Sequence, residues 1–135
     1  MSVIYLDTSV FLRACLADAT GHLAAWELLT GTTKLLVSSE LLWLEADRAA
    51  IRLTREDPGL ATLPQQVTSA LTRVGMIPLT RAIINDARQI PQTVKSLDAI
   101  HIASAESLGD VLDYVATSDR TMIAVLQERG LTVQE

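Results

Sequence analysis

Val3–Leu6 is an unbroken apolar run of β-favouring residues, and Asp7-Thr8-Ser9 directly after it offers short polar side chains suited to capping a helix over Val10–Leu16. Apolar positions at helical spacing return over His22–Leu29, ended by Gly31, and Lys34–Val37 reads as a second strand. Ser39 is placed to cap a long helix reaching Thr54, and Gln65–Arg73 carries the same period. Met76–Leu79 reads as a strand, Thr80 as the cap of a helix over Arg81–Ile90, and Pro91 as its stop. Ser96 is placed to cap a helix over Leu97–Leu108 that Gly109 ends, and Val111–Thr117 is the clearest strand of the chain. Asp119–Arg129 then forms a helix closed by Gly130, with Leu131–Val133 as a last edge strand. Strands and helices alternate without hairpin signals, which predicts an α/β fold with a parallel sheet covered by helices on both faces. The one linker-like stretch, Glu56–Pro64, is too short to divide the chain, so one domain over residues 1–135 is expected.

Composition adds partners to this picture. Hydrophobic residues make up 49% of the chain, more than a solitary monomer needs, so an exposed apolar patch for a partner is expected. No apolar run approaches the roughly 18 residues of a membrane span, and the start MSVIYLDTS has neither the basic residues nor the cleavage site of a signal peptide. The expectation is a cytoplasmic chain with no membrane association. Cys15 stands alone, which rules out an internal disulfide and a thiolate metal site. A net charge of −5 argues against broad, non-specific nucleic-acid binding. Yet nine of the 11 basic residues are Arg, the side chain suited to forked phosphate contacts, and a divalent cation among acidic residues would cancel their charge locally.

In parallel sheets, ligands sit beyond the carboxyl ends of the strands, which directs attention to the residues just after them. Asp7 follows the first strand and Asp119 the clearest one. Each, taken alone, reads first as an ordinary helix cap. Glu45 lies inside a helix whose buried stripe is Leu42, Ala46, Ala49, Ala50 and Leu53; it sits about 85° from the centre of that stripe, whereas Glu40, at about 135°, points to solvent. Glu45 can therefore reach the rim of the sheet, or pair with Arg48 or Arg52. Asp98 falls in LDAIHIASA, apolar nearly all round, where an unpaired carboxylate costs several kcal/mol unless a cation or hydrogen bonds compensate. His101, three residues on, can hydrogen-bond Asp98, and with no His or Cys partner at ligand spacing it reads as a packing residue or a support for the acids rather than a metal ligand. Four carboxylates without such partners suit Mg²⁺ or Mn²⁺, the ions that assist phosphodiester hydrolysis. Thr8, Ser9, Thr117 and Ser118 lie beside them and can orient carboxylates or water. Arg48, Arg52 and Arg55 offer a track for an RNA backbone or, equally, a solvated stripe balanced by Asp47 and Glu56, and Trp26 and Trp43 read as core or interface residues.

Together the segments IYLDTSVFL, LLVSSELLWLEADRA, SLDAIHIASA and DYVATSDRTM resemble the PIN-domain ribonucleases, in the order and at the spacing of that family and over essentially the whole chain. In size the chain resembles the VapC-type toxins of bacterial toxin–antitoxin pairs. The resemblance implies a five-stranded parallel sheet in the order 3-2-1-4-5. It places an acidic Mg²⁺ or Mn²⁺ site on Asp7, Glu45, Asp98 and Asp119, with auxiliary hydroxyls from Thr8 or Ser9 and from Thr117. It further implies RNA as substrate, a homodimer, and a cognate VapB-type antitoxin that occupies the active-site groove in a hetero-oligomer. A phosphotransfer receiver would need paired acids after the first strand and a late Lys. A D-x-D phosphatase would need an acid where Ser9 stands. A non-catalytic interaction module is the remaining alternative.

Overall fold

The computed structural model describes residues 2–135; Met1, counted in the expected single domain, lies outside them. The chain runs β1 (Val3–Leu6), α1 (Thr8–Cys15), α2 (His22–Gly31), β2 (Leu35–Ser39), α3 (Leu41–Glu56), α4 (Leu63–Leu71), β3 (Gly75–Ile77), α5 (Arg81–Arg88), α6 (Ser96–Glu106), β4 (Leu112–Ala116), α7 (Arg120–Glu128) and β5 (Val133–Gln134). Short 3-10 turns at Pro58–Leu60 and Gly109–Val111 lead into α4 and β4. The five strands are parallel, in the order β3-β2-β1-β4-β5. Chain direction across the sheet reverses at β1, so the residue after β1 faces the crevice in which such sheets bind ligands.

Side chains of β1 alternate between two cores, as a pleated strand requires. Ile4 and Leu6 pack with Phe11 of α1, Ala25 and Leu29 of α2, Leu42 and Ala46 of α3, and Leu63 and Val67 of α4. Val3 and Tyr5 pack on the other face with Ile102 and Ala105 of α6 and Met122, Val125 and Leu126 of α7. All four residues of β1 are buried, which is why its sequence is continuously apolar rather than alternating. Small residues at Ala46, Ala49 and Ala50 let α3 approach the sheet closely enough to carry Glu45 to its rim. No helix among the described residues is long and apolar enough to cross a membrane.

Several boundaries differ from the periodicity. β2 runs two residues further than expected, so Ser39 closes the strand rather than occupying the cap position; Glu40 holds that position, and the Ser39 hydroxyl still accepts from the Leu41 amide at 3.2 Å. α4 begins at Leu63, because Pro64 fits the first helical turn, where its missing N–H costs nothing. Ser96 is the first residue of α6 rather than its cap. Thr80 caps α5 as expected, accepting from the Ile83 amide. Glu40 is exposed, but its carboxylate is not idle: it accepts from the Leu79 amide and ties the start of α3 to the segment after β3.

Candidate active site

The carboxyl ends of β1 and β4 bring Asp7 and Thr117 together. The Asp7 amide bonds the Ala116 carbonyl at 2.9 Å and extends the ladder by one residue. Its carbonyl accepts from Val10 and Phe11, which starts α1. Asp7 has the backbone conformation of a cap, yet its side chain caps nothing. One carboxylate oxygen, Oδ2, instead accepts from Ser9 Oγ and Thr117 Oγ1, both at 2.8 Å. A carboxylate only 5% exposed is thus held by two charge-assisted hydrogen bonds, with its other oxygen spared from capping.

The hydroxyls divide their work. Ser9 serves Asp7 and also accepts from the Ser118 amide at 3.2 Å. Thr8 turns to the other side and donates to Glu45 Oε1 at 3.0 Å. Thr117, fully buried, accepts from the Asp119 amide at 3.2 Å while donating to Asp7. Asp119 fulfils the ordinary cap role: its Oδ1 accepts from the Met122 amide at 3.1 Å, at the start of α7.

Glu45 reaches the rim as its helical position predicts, but its partners are neither Arg48 nor Arg52. Its Oε1 meets His101 Nε2 at 2.7 Å as well as Thr8. His101 thus supports Glu45 rather than Asp98: it turns inward from α6, 1% exposed, with Tyr5 Oη 2.6 Å from its Nδ1. The Ser39 amide donates to that same phenol oxygen at 3.1 Å. A buried chain thus runs from β2 through Tyr5 and His101 to Glu45. Burial alone would lower the His101 pKa, but the Glu45 bond and the charges of Asp7, Glu45 and Asp98 outweigh it and the net direction is up.

Asp98, in the first turn of α6, is half-buried and has no hydrogen-bonded side-chain partner among the described residues. Its carboxyl is raised above the ordinary carboxylate range by burial first, then by the negative charges of Asp119, Asp7 and Glu45, with His101 partly opposing them. The four acids named from the sequence therefore lie within one another's fields. Among the described residues, however, no three His, Cys, Asp or Glu side chains converge closely enough to chelate an ion unaided.

Arg48 and Arg52 are exposed on α3. Trp26 and Trp43 belong to the surface rather than the core, at 46% and 51% exposure, with Leu23 beside the first and Leu44 beside the second. Cys15 is half-buried in apolar surroundings that push its thiol up to about 11. Tyr5 escaped the sequence reading, as did the partner of His101; a Tyr in an otherwise aliphatic buried strand was the available signal, since a buried phenol needs a partner.

The family model described as PIN domain matches residues 4–127. The chain is 29% identical over 131 residues to ribonuclease VapC47 of Mycobacterium tuberculosis, covering 95% of this chain and 93% of that one. Its fold is similar to that of a chain in the crystal structure of VapBC2 from Rickettsia felis bound to a DNA fragment from their promoter, with a TM-score of 0.68, 12% identity, and 98% and 97% of the two chains covered. It is similar also to Mycobacterium tuberculosis VapC20, described as a sarcin–ricin-loop-cleaving toxin, with a TM-score of 0.68, 18% identity and 96% of each chain covered.

Proposed function

The chain belongs to the PIN-domain family, and from that premise we propose that it is a divalent-metal-dependent ribonuclease acting through Asp7, Glu45, Asp98 and Asp119, and the toxin of a toxin–antitoxin pair. The observation that carries this reading is Asp7: a buried carboxylate at the sheet's switch point, oriented by two hydroxyls instead of capping its helix, and facing acids that raise the Asp98 carboxyl. A structural role would spend that side chain on the free amides of α1. Like charges held together with only His101 partly opposing them call for a cation, and all-oxygen donors suit Mg²⁺ or Mn²⁺. Asp7 and Asp98 would hold such an ion, with Glu45 and Asp119 flanking it. When bound, it would neutralise charge building on the phosphate and make a water more acidic. That three acids do not converge closely fits a site completed by water and RNA phosphate rather than a closed cage.

The protein's own groups do the positioning. Ser9 and Thr117 fix the direction of Asp7. Thr8 and His101 fix Glu45, whose second oxygen is left to orient water or accept its proton. The named relatives support an RNA substrate and a VapB-type antitoxin, and exposed Leu23, Trp26, Trp43 and Leu44 are among the apolar residues available to that antitoxin or to a second copy of the chain. Induction in cells without the antitoxin, followed by sequencing of RNA ends, tests the reading. The wild-type protein should arrest growth and produce new ends at a defined site, and soluble Asp7→Asn and Asp98→Asn should do neither. Full toxicity in either variant would refute the assignment.

A further inference from the structure

Seven of the nine arginines are exposed. Two are half-buried, and they differ. Arg129 is paired in fork geometry with Glu106, at 2.9 and 2.8 Å, and also bonds Gln92 at 3.2 Å. Arg13 forms no ion pair with any carboxylate among the described residues. In a chain of net charge −5, a half-buried guanidinium without a counter-ion is out of keeping with its surroundings.

Arg13 lies one helical turn after Ser9 on the same face of α1, and it lines a cavity of about 360 Å³ between α1, α2 and the β4–β5 edge of the sheet. Val10 and Leu28 give that cavity an apolar wall, and Tyr114, Ser118 and Gln134 add an aromatic ring and polar groups. Glu135 also lines it, beyond ion-pair distance of Arg13. At Gly21, where φ is +81°, a Cβ would stand 3.0 Å from Arg13 Nη1, so the guanidinium lies against bare backbone instead of extending into water. The cavity adjoins the acids through one lining residue, Ser118, which donates its amide to the same Ser9 hydroxyl that holds Asp7. A charge favourable to the C-terminus of α1 would not need this enclosure.

We propose that this cavity is the subsite for the nucleotide flanking the scissile bond, with Arg13 taking its phosphate and the Val10–Leu28–Tyr114 wall taking its base. The proposal rests on the ribonuclease reading above, and it makes Arg13 a specificity-determining residue. The volume suits it, since small-ligand sites start at about 300 Å³, and a forked guanidinium matches a phosphate.

The test uses the full chain with a cleavable RNA oligonucleotide and Mn²⁺. Arg13→Ala should raise KM roughly ten- to a hundredfold, the size of a lost charged hydrogen bond, with kcat within about threefold. Arg13→Lys should recover part of the loss, because it restores charge without the fork. Uncharged methylphosphonate linkages walked along the RNA supply the independent arm. One linkage should cost the wild type as much as Arg13→Ala does, and cost Arg13→Ala nothing further. Binding of labelled RNA to Asp7→Asn with and without Arg13→Ala, read by fluorescence anisotropy, decides the subsite even if no cleavage occurs. A KM and affinity unchanged by Arg13→Ala, linkages that cost both proteins equally, or a variant that loses a protein partner but not RNA would each overturn it.

Discussion

Replacing Tyr5 with Phe deletes one oxygen from the most enclosed polar chain next to the acids and leaves the ring in place. That oxygen meets His101 Nδ1 at 2.6 Å and the Ser39 amide at 3.1 Å. Tyr5 is 0% and His101 1% exposed, so no water takes its place. A buried polar group left without a partner costs about 1–3 kcal/mol, and two are stranded here, so the loss is roughly 2–6 kcal/mol. Total stability of about 5–15 kcal/mol makes that a large share. At roughly 3–4 °C per kcal/mol for a domain of this size, the melting temperature should fall by about 6–24 °C. Urea unfolding followed by circular dichroism should show a lower midpoint with an unchanged slope, as expected when stability changes and the unfolded state does not. A second effect separates this from simple loss of packing. With a protonated phenol on Nδ1, His101 presents its N–H at Nε2 to Glu45. Phe removes that constraint, so the stabilisation gained on adding Mn²⁺ should shrink as well. An unfolding midpoint and a Mn²⁺-dependent gain both equal to wild type would refute the reasoning.

Thr117→Val keeps the volume but removes one of two donors to Asp7, so stability should fall by about 1.5–3 kcal/mol and RNA cleavage should drop with it; a variant equal to wild type in both melting and cleavage would count against the role given to Thr117. The raised carboxyl of Asp98 means the native state holds its proton more tightly than the unfolded chain, so its contribution to stability is full below the ordinary carboxylate pKa and lost as pH rises through the raised value. Asp98→Asn should accordingly melt above wild type near pH 7 in chelator, lose that advantage near pH 3.5, and melt below wild type once Mn²⁺ is added; a melting temperature lowered at every pH in chelator would contradict it. Glu40→Gln should cost up to about 1 kcal/mol through its bond to the Leu79 amide while leaving cleavage unchanged, and a loss of cleavage comparable to Asp7→Asn would sink the distinction drawn between these two acids.

The candidate acids were picked out in the sequence by two kinds of signal, a departure from the surrounding helix pattern or a place just after a strand. Asp98 interrupts an apolar helix, Glu45 sits at the edge of a buried stripe, and Asp7 and Asp119 follow strands. The alternation of elements likewise leads to the observed sheet, since short buried strands separated by helices pack in few ways. What could not be read is which partner each polar group takes across the fold. His101 is three residues from Asp98 but bonds Glu45, 56 residues away, because its place on α6 turns it toward the sheet. Adjacent Thr8 and Ser9 serve different acids, since successive residues at the start of α1 diverge by about 100°. Ser39 misled because helix capping and strand ending favour the same position. Arg13 gave no signal at all: its enclosure depends on Gly21, β4 and β5, none of them its neighbours along the helix.

Asp7 and Asp98 are proposed to form a metal-dependent site for cutting RNA. The most direct test is cleavage by the purified wild-type protein, antitoxin removed, titrated with Mn²⁺ and Mg²⁺ beside Asp7→Asn and Asp98→Asn. Wild type should cleave in proportion to ion occupancy and stop in chelator, and both variants should be inactive at every ion concentration while melting cooperatively. Cleavage that persists in chelator, or that either folded variant retains at the wild-type rate, would contradict the account.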